Sequence, residues 1–335
     1  MHMADALISP AVGGTLWTAG AALTYYSAKK IGPDFHAQKA PLMGVLGAFV
    51  FAAQMINFAI PGTGSSGHLG GGILLAVLLG PYAGFLTMAS ILTIQALLFA
   101  DGGLLALGCN IINLAFFPCF IAYPLIYRKM IGKHSSQLRR NIAVCVATVV
   151  GLQLGALGVV TETMLSGISE LPFQTFTLFM LPIHLVIGLV EAAVTSAVLS
   201  YVWKEAPGLF PVNTPITGAN SSPMRRVVLT VAIAAALTAG MLSWFASTNP
   251  DGLEWAVQKT SGQAEVENTG PVHATLASWQ EKIAMFPDYQ VATLGSSEGK
   301  NASTSAAGLI GASMTLLLAG AVGVGCRVFV KRNAQ

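Results

Sequence analysis

Residues 83–100 read AGFLTMASILTIQALLFA, a run without one charged side chain. Wound as a helix at about 1.5 Å per residue, such a run reaches across most of a hydrocarbon core of about 30 Å. Outward from it the pattern repeats, with apolar segments near 11–28, 41–60, 69–81, 104–127, 141–163, 177–202, 227–247 and 307–329. The segment at 69–81 is short for a crossing. Gly80-Pro81 separates it from 83–100, because proline cannot continue the hydrogen-bond ladder of a helix. The composition fits a lipid solvent: 54% of the 335 residues are hydrophobic and 9% charged, where soluble domains carry about a quarter charged residues. The expected fold class is an all-α integral membrane protein of about nine transmembrane helices.

Basic residues orient such a bundle, because Lys and Arg gather in cytoplasmic loops. With the N-terminus extracytoplasmic and the C-terminus cytoplasmic, fourteen of the seventeen Lys and Arg residues fall inside. The exceptions, Lys259, Lys282 and Lys300, share one long segment, 248–306. A cell membrane, inner or plasma, is the expected location. No Lys or Arg precedes the first apolar run, so a cleavable signal peptide is not expected. His2 is too large for the usual removal of an initiator Met, and Met1 is expected to persist with a free amine. The net charge of +3 is loop charge. Without a basic stripe interleaved with aromatics, nucleic acid is not an expected partner, and membrane lipid is the medium. Cys109, Cys119, Cys145 and Cys326 lie in apolar segments without CxxC spacing and read as packing residues.

Residues 1–205 read as a unit of seven helices with short loops, and 206–226 as a cytoplasmic linker rich in Pro and polar residues. Residues 227–335 read as a second module, two helices around an extracytoplasmic loop at 248–306 that is too long to be a mere connection.

His2 is the most informative residue. A His at position 2 of an unblocked chain offers three nitrogens: the Met1 amine, the His2 amide and the His2 imidazole. Amine and amide close a five-membered chelate ring on a metal, and amide and Nδ1 close a six-membered one. Three coplanar nitrogens suit Ni(II) or Cu(II), whereas zinc prefers a tetrahedron. Taken alone, a second-position His is more often a residue of a frayed terminus. A fourth ligand on the same membrane face would change that, and His68 qualifies, in the glycine-rich segment PGTGSSGHLGGG at 61–72. Such donors must lose protons to bind, so affinity is expected to fall with pH.

Gln54, Asn57, Gln95, Asn110, Asn113, Gln153, His184 and Glu191 are polar residues in or beside the apolar segments, where they are costly and face the bundle interior. The plain reading is an interhelical hydrogen-bond network, with support of the metal ligands or transport coupling as the alternative for His184, Glu191, Asn110 and Asn113. His184 and Glu191, seven apart, share one helical face, and a mainly structural or coupling role is expected for both. HExxH, GxSxG and the Walker A pattern are all missing. The chain is not expected to be an enzyme, and any ATP hydrolysis would belong to partner ATPase subunits.

MHMADALISP at 1–10, GTGSSGHLGGG at 62–72 running into ILLAVLLGPYAG, and HLVIGLVEAAVT at 184–195 resemble the CbiM/NikM substrate-binding (S) components of energy-coupling factor transporters for cobalt and nickel. The resemblance covers about residues 1–205. NPDGLEW at 249–255, with its flanking helices, resembles the NikN-type small subunit, here fused. The CbiM/NikM resemblance implies a metal held by the Met1 amine, the His2 amide and imidazole, and His68. The usual Gly of the N-terminal motif is replaced by Ala6, which bears on the turn into the bundle rather than on a ligand. It also implies Ni²⁺ or Co²⁺ as the transported substrate, with the fusion tilting the choice to nickel. A membrane coupling (T) protein and cytoplasmic ATPase subunits are implied as partners. The rival readings are an S component for an organic vitamin and a non-transporting membrane protein for metal sensing or assembly.

The charge asymmetry gives a direct test. A reporter fused after Gln335 should read cytoplasmic and one within 260–300 extracytoplasmic; the opposite pattern overturns the orientation.

Overall fold

The computed structural model describes residues 2–31, 39–132, 135–210, 221–263, 266, 270–291 and 299–333. Ser9 starts the first helix, α1 (Pro10–Lys30): its Oγ accepts from the Val12 N–H at 3.4 Å, and Pro10 lacks an N–H just where none is needed. The almost wholly apolar α2 (Lys39–Gln54) follows. It stops short of the 41–60 run expected from hydropathy. Phe58–Ile60 is instead strand β1, paired antiparallel with β2 (Ser65–Gly67) in the register Phe58↔Gly67. Pro61 and the left-handed Gly62 and Gly64 turn the chain between them.

The next helix is the short α3 (Gly72–Leu79). Gly80, at φ 89°, breaks it from α4 (Pro81–Phe99), the division that Gly80-Pro81 predicted. In α5 (Leu107–Met130), Pro118 and Pro124 lie inside a stretch of wide, i→i+5 turns from Ile112 to Tyr127. Each proline removes one ladder hydrogen bond and crowds the carbonyl four residues back, and the wider winding relieves both. Then come α6 (Gln137–Ser166), α7 (Phe173–Glu205), α8 (Ser221–Gly240) and α11 (Lys300–Asn333). Two amphipathic helices, α9 (Gly252–Ser261) and α10 (Pro271–Ile283), fold up the segment read from sequence as a loop. The expected linker also shortens, because α8 already begins at Ser221; residues 211–220 lie outside the described residues.

By length and composition α4, α5, α6, α7 and α11 are long and apolar enough to cross a membrane. Their outward residues are apolar too: Leu178, Leu189 and Leu317 are exposed on α7 and α11, where water would demand polar ones and lipid does not. The chain is an all-α membrane protein, with one small hairpin among the described residues.

Glycines set how closely the helices approach. A β-carbon at Gly44 of α2 would come within 2.7 Å of the Leu316 carbonyl on α11. Gly44, with the buried Ala48 and Ala52 at four-residue spacing, therefore packs within the chain, and α11 is built into the bundle rather than appended to it. At Gly108 of α5 a β-carbon would lie 2.3 Å from the Trp17 nitrogen on α1, whereas one at Gly14 meets nothing within 4 Å. Gly108→Ala should thus lower the thermal midpoint in detergent, by the equivalent of about 1–3 kcal/mol, while Gly14→Ala should leave it unchanged or raise it slightly. Equal midpoints for the two variants would contradict this packing.

Candidate metal site

The N-terminal segment is threaded into the bundle as if it were one more strand. The Met3 N–H donates to Asn110 Oδ1 at 2.8 Å, and Met3 O accepts from Asn110 Nδ2 at 3.3 Å and from the Gly103 N–H at 2.9 Å. Asn113 Nδ2 lies 3.7 Å from the Met3 sulfur and donates to Glu162 Oε2 at 2.7 Å. A short turn over Asp5–Leu7 follows, its Asp5 Oδ1 accepting from the Ala106 N–H at 2.9 Å. Met3 and Ile8 are completely buried. The segment is anchored on the residues just before it enters α1, and this fixes where His2 sits. Met1 lies outside the described residues.

His2 Nδ1 faces Asp101 Oδ1 at 3.1 Å, with the His2 side chain only 5% exposed. Asp101 follows the left-handed Ala100 that ends α4. The left-handed Gly102 allows the close approach, since a β-carbon there would sit 2.8 Å from Asn110 Nδ2 and 3.4 Å from His2 Cβ. A carboxylate can only accept, so Nδ1 carries the proton of this hydrogen bond. Nε2 is buried and has no hydrogen-bond partner.

His68 arrives from the other side, on the loop between β2 and α3. Glu191 of α7 holds that loop, accepting from the N–H groups of Gly70 and Gly71 at 2.8 and 2.9 Å. Gln54 donates to Gly70 O at 2.8 Å, and Gln95 donates to Gln54 Oε1 at 2.9 Å. So held, the His68 ring stacks on His2 with centroids 5.0 Å apart and planes 11° from parallel. Burial, first, drives its pKa down to about 3, aided by the positive charge of its neighbours and resisted by Asp251 and Asp101. His68 is therefore a neutral nitrogen donor at physiological pH.

The segment 248–306 reaches this site. Ser66 of β2 donates through its N–H to Pro250 O and through Oγ to Asn249 O, both at 2.8 Å, and Trp255 donates to Thr63 O at 3.0 Å. This docking brings Asp251 Oδ2 to 3.8 Å from His68 Nε2. Asp251 also caps α9, its Oδ1 accepting from Leu253 and Glu254 while Glu254 Oε2 accepts from the Asp251 N–H. A capping box of this kind contributes on the order of 1 kcal/mol and makes the carboxylate's position stiff.

Together these residues line a cavity of about 450 Å³, with His2, His68, Asp101, Asp251, Glu254 and Tyr289 in its wall. Among the described residues no Lys or Arg lines it. Burial alone would raise the Asp101 pKa, but His2 and the Tyr289 hydroxyl outweigh it and hold the carboxyl well below the usual range. Cavity and charge thus favour a cation. Among the described residues no three His, Cys, Asp or Glu side chains converge as a metal-holding group.

Of the other residues singled out, Asn110 and Asn113 anchor the N-terminal segment and Glu191 the His68 loop. His184 lies on the same face of α7, Nδ1 bonded to Met180 O at 2.8 Å and packed against Gly252, away from the cavity wall. Sequence reading missed Asp101 and Tyr289. It quoted Asp251 and Glu254 only as part of a motif. The signal for Asp101 was an isolated acid in FADGG, on the same predicted face as His2 and His68.

Residues 2–209 match the family described as CbiM, cobalt uptake substrate-specific transmembrane region, and residues 225–327 match the PDGLE domain. The chain is 33% identical to the probable fused nickel transport protein LarMN of Lactiplantibacillus plantarum over 89% of this chain and 92% of that one. It is 28% identical to the fused nickel transport protein NikMN of Rhodobacter capsulatus, covering 79% of this chain and 78% of that one. A crystal structure of a truncated transition metal transporter superposes with a TM-score of 0.54 at 32% identity, covering 61% of this chain and 99% of that one. With anchored N-terminus, stacked histidines and docked PDGLE segment in place, the chain belongs to the CbiM family of substrate-specific components of cobalt and nickel transport, joined to a PDGLE domain.

Proposed function

We propose that this chain is the substrate-binding subunit of an ATP-driven importer for a divalent transition-metal ion, Ni²⁺ in preference to Co²⁺. The observation that carries the reading is the stacking of His2 on His68 at the wall of an acid-lined cavity. Two buried imidazoles supply nitrogen, and the Met1 amine and His2 amide supply two more nitrogens from the same short segment. Four in-plane nitrogens favour Ni²⁺ and offer little to Mg²⁺ or Ca²⁺, which bind oxygen. His2 Nδ1 points at Asp101, so the chelate forms as the ion takes that nitrogen from the carboxylate. Asp101 and Asp251 then offset the charge brought in.

Transport inward calls for breaking the plane, by withdrawal of the N-terminal segment or of the His68 loop. Glu191 and Asn110, which anchor the two, serve this reading as holding points rather than as ligands. The sequence carries no nucleotide-binding loop, so the energy comes from cytoplasmic ATPase partners acting through a membrane coupling protein, with the metal site on the extracytoplasmic face.

Calorimetric titration of nickel into purified full-length protein tests the site. One residue added before Met1, His2→Ala and His68→Ala should each weaken binding by more than the roughly 10–100-fold that residues behind the ligands typically contribute. Tight, stoichiometric nickel binding by the extended protein would overturn the proposed ligand set.

A further inference from the structure

Tyr289 lies in a short turn, Pro287–Tyr289, between α10 and α11. Asp288 and Tyr289 both take left-handed backbone conformations, φ 52° and 57°, which the β-carbon disfavours in residues other than glycine. The side chain shows what holds the turn there. Its ring stacks on Phe99 with centroids 4.8 Å apart and tilts against Phe51 at 6.0 Å. Its hydroxyl donates to Asp101 Oδ2 and accepts from Gln95 Nε2 at 3.3 Å.

The segment around it grips the same turn. The Phe286 N–H donates to Leu98 O at 2.9 Å. Gln280 Nε2 donates to Ala96 O at 2.9 Å and to Gly102 O at 2.8 Å. Asp101 is thus bracketed from both sides in sequence, and its two oxygens are divided. Oδ2 receives the phenol, and Oδ1 faces His2 Nδ1.

We infer that Tyr289 is a positioning residue for the metal site: it clamps the Asp101 carboxylate, and the clamped carboxylate sets the ring of His2. The inference rests on the proposed function and assigns the PDGLE segment a part in it. A carboxylate held at one oxygen cannot rotate freely, so the imidazole opposite it keeps Nδ1 turned to the place from which the ion takes it, and a ligand oriented beforehand loses less freedom when the ion arrives. Engagement of Oδ2 by the phenol also hinders Asp101 from grasping the ion through both oxygens, which would dilute a nitrogen set with oxygen and favour harder cations.

Tyr289→Phe removes the hydroxyl and keeps the ring. In full-length protein its nickel affinity should fall about 2–10-fold, the usual cost of ordering one side chain that was no longer held beforehand. The visible absorption band of bound nickel should shift, and the thermal midpoint of metal-free protein should stay near wild type. Wild-type affinity and spectrum in Tyr289→Phe would overturn the inference. So would a lowered midpoint with unchanged affinity, which makes Tyr289 a packing residue only. His68→Ala, measured alongside, separates the two levels. If it abolishes binding while Tyr289→Phe changes nothing, the site stands and the positioning role fails; if it binds as wild type, the ligand set fails and the inference with it.

Discussion

The pairing of Asn110 with Met3 is the constraint on which the site depends. A chain terminus ordinarily frays, because nothing repays the entropy of ordering it. Here one amide side chain takes both the N–H and the C=O of Met3, in a buried setting where an unsatisfied main-chain group would be costly. Asn113 and the Asp5 side chain secure the same segment on either side. With Met3 fixed, His2 has little choice of position.

The second histidine is placed by an equally polar device. Glu191, buried in α7, uses both oxygens on the N–H groups of Gly70 and Gly71, and Gln54 takes the Gly70 carbonyl. Loop backbone inside a membrane bundle is tolerated only when its polar groups are satisfied in this way. The PDGLE segment then closes over both histidines, with Asp251 beside His68 and Tyr289 behind Asp101. The two modules thus line one cavity. Their helices interlock as well, since Gly44 of α2 accepts the α11 backbone at close range.

What the sequence made legible follows from the range of each interaction. Apolar runs report on lipid contact residue by residue, so the all-α membrane class and the break at Gly80-Pro81 could be read directly. His2 and His68 could be paired because their chemistry is local and their membrane face follows from charge in the loops. The β1–β2 hairpin was hidden because Phe58, Ala59 and Ile60 continue the hydropathy of α2, and only the Pro-Gly turn after them ends it. α9 and α10 were hidden because their amphipathic pattern is shorter and weaker than a crossing. Asp101 and Tyr289 are 188 positions apart, and no periodicity connects them; Asp101 could have been suspected as a lone acid facing the right side, but Tyr289 could not.

The most direct measurement is X-ray absorption at the metal edge of full-length protein loaded with nickel. A site built from the Met1 amine, the His2 amide and two imidazoles gives four nitrogen neighbours at about 2 Å, with outer-shell scattering from two rings and an edge feature of square-planar geometry. A six-coordinate shell dominated by oxygen, without imidazole scattering, would contradict it.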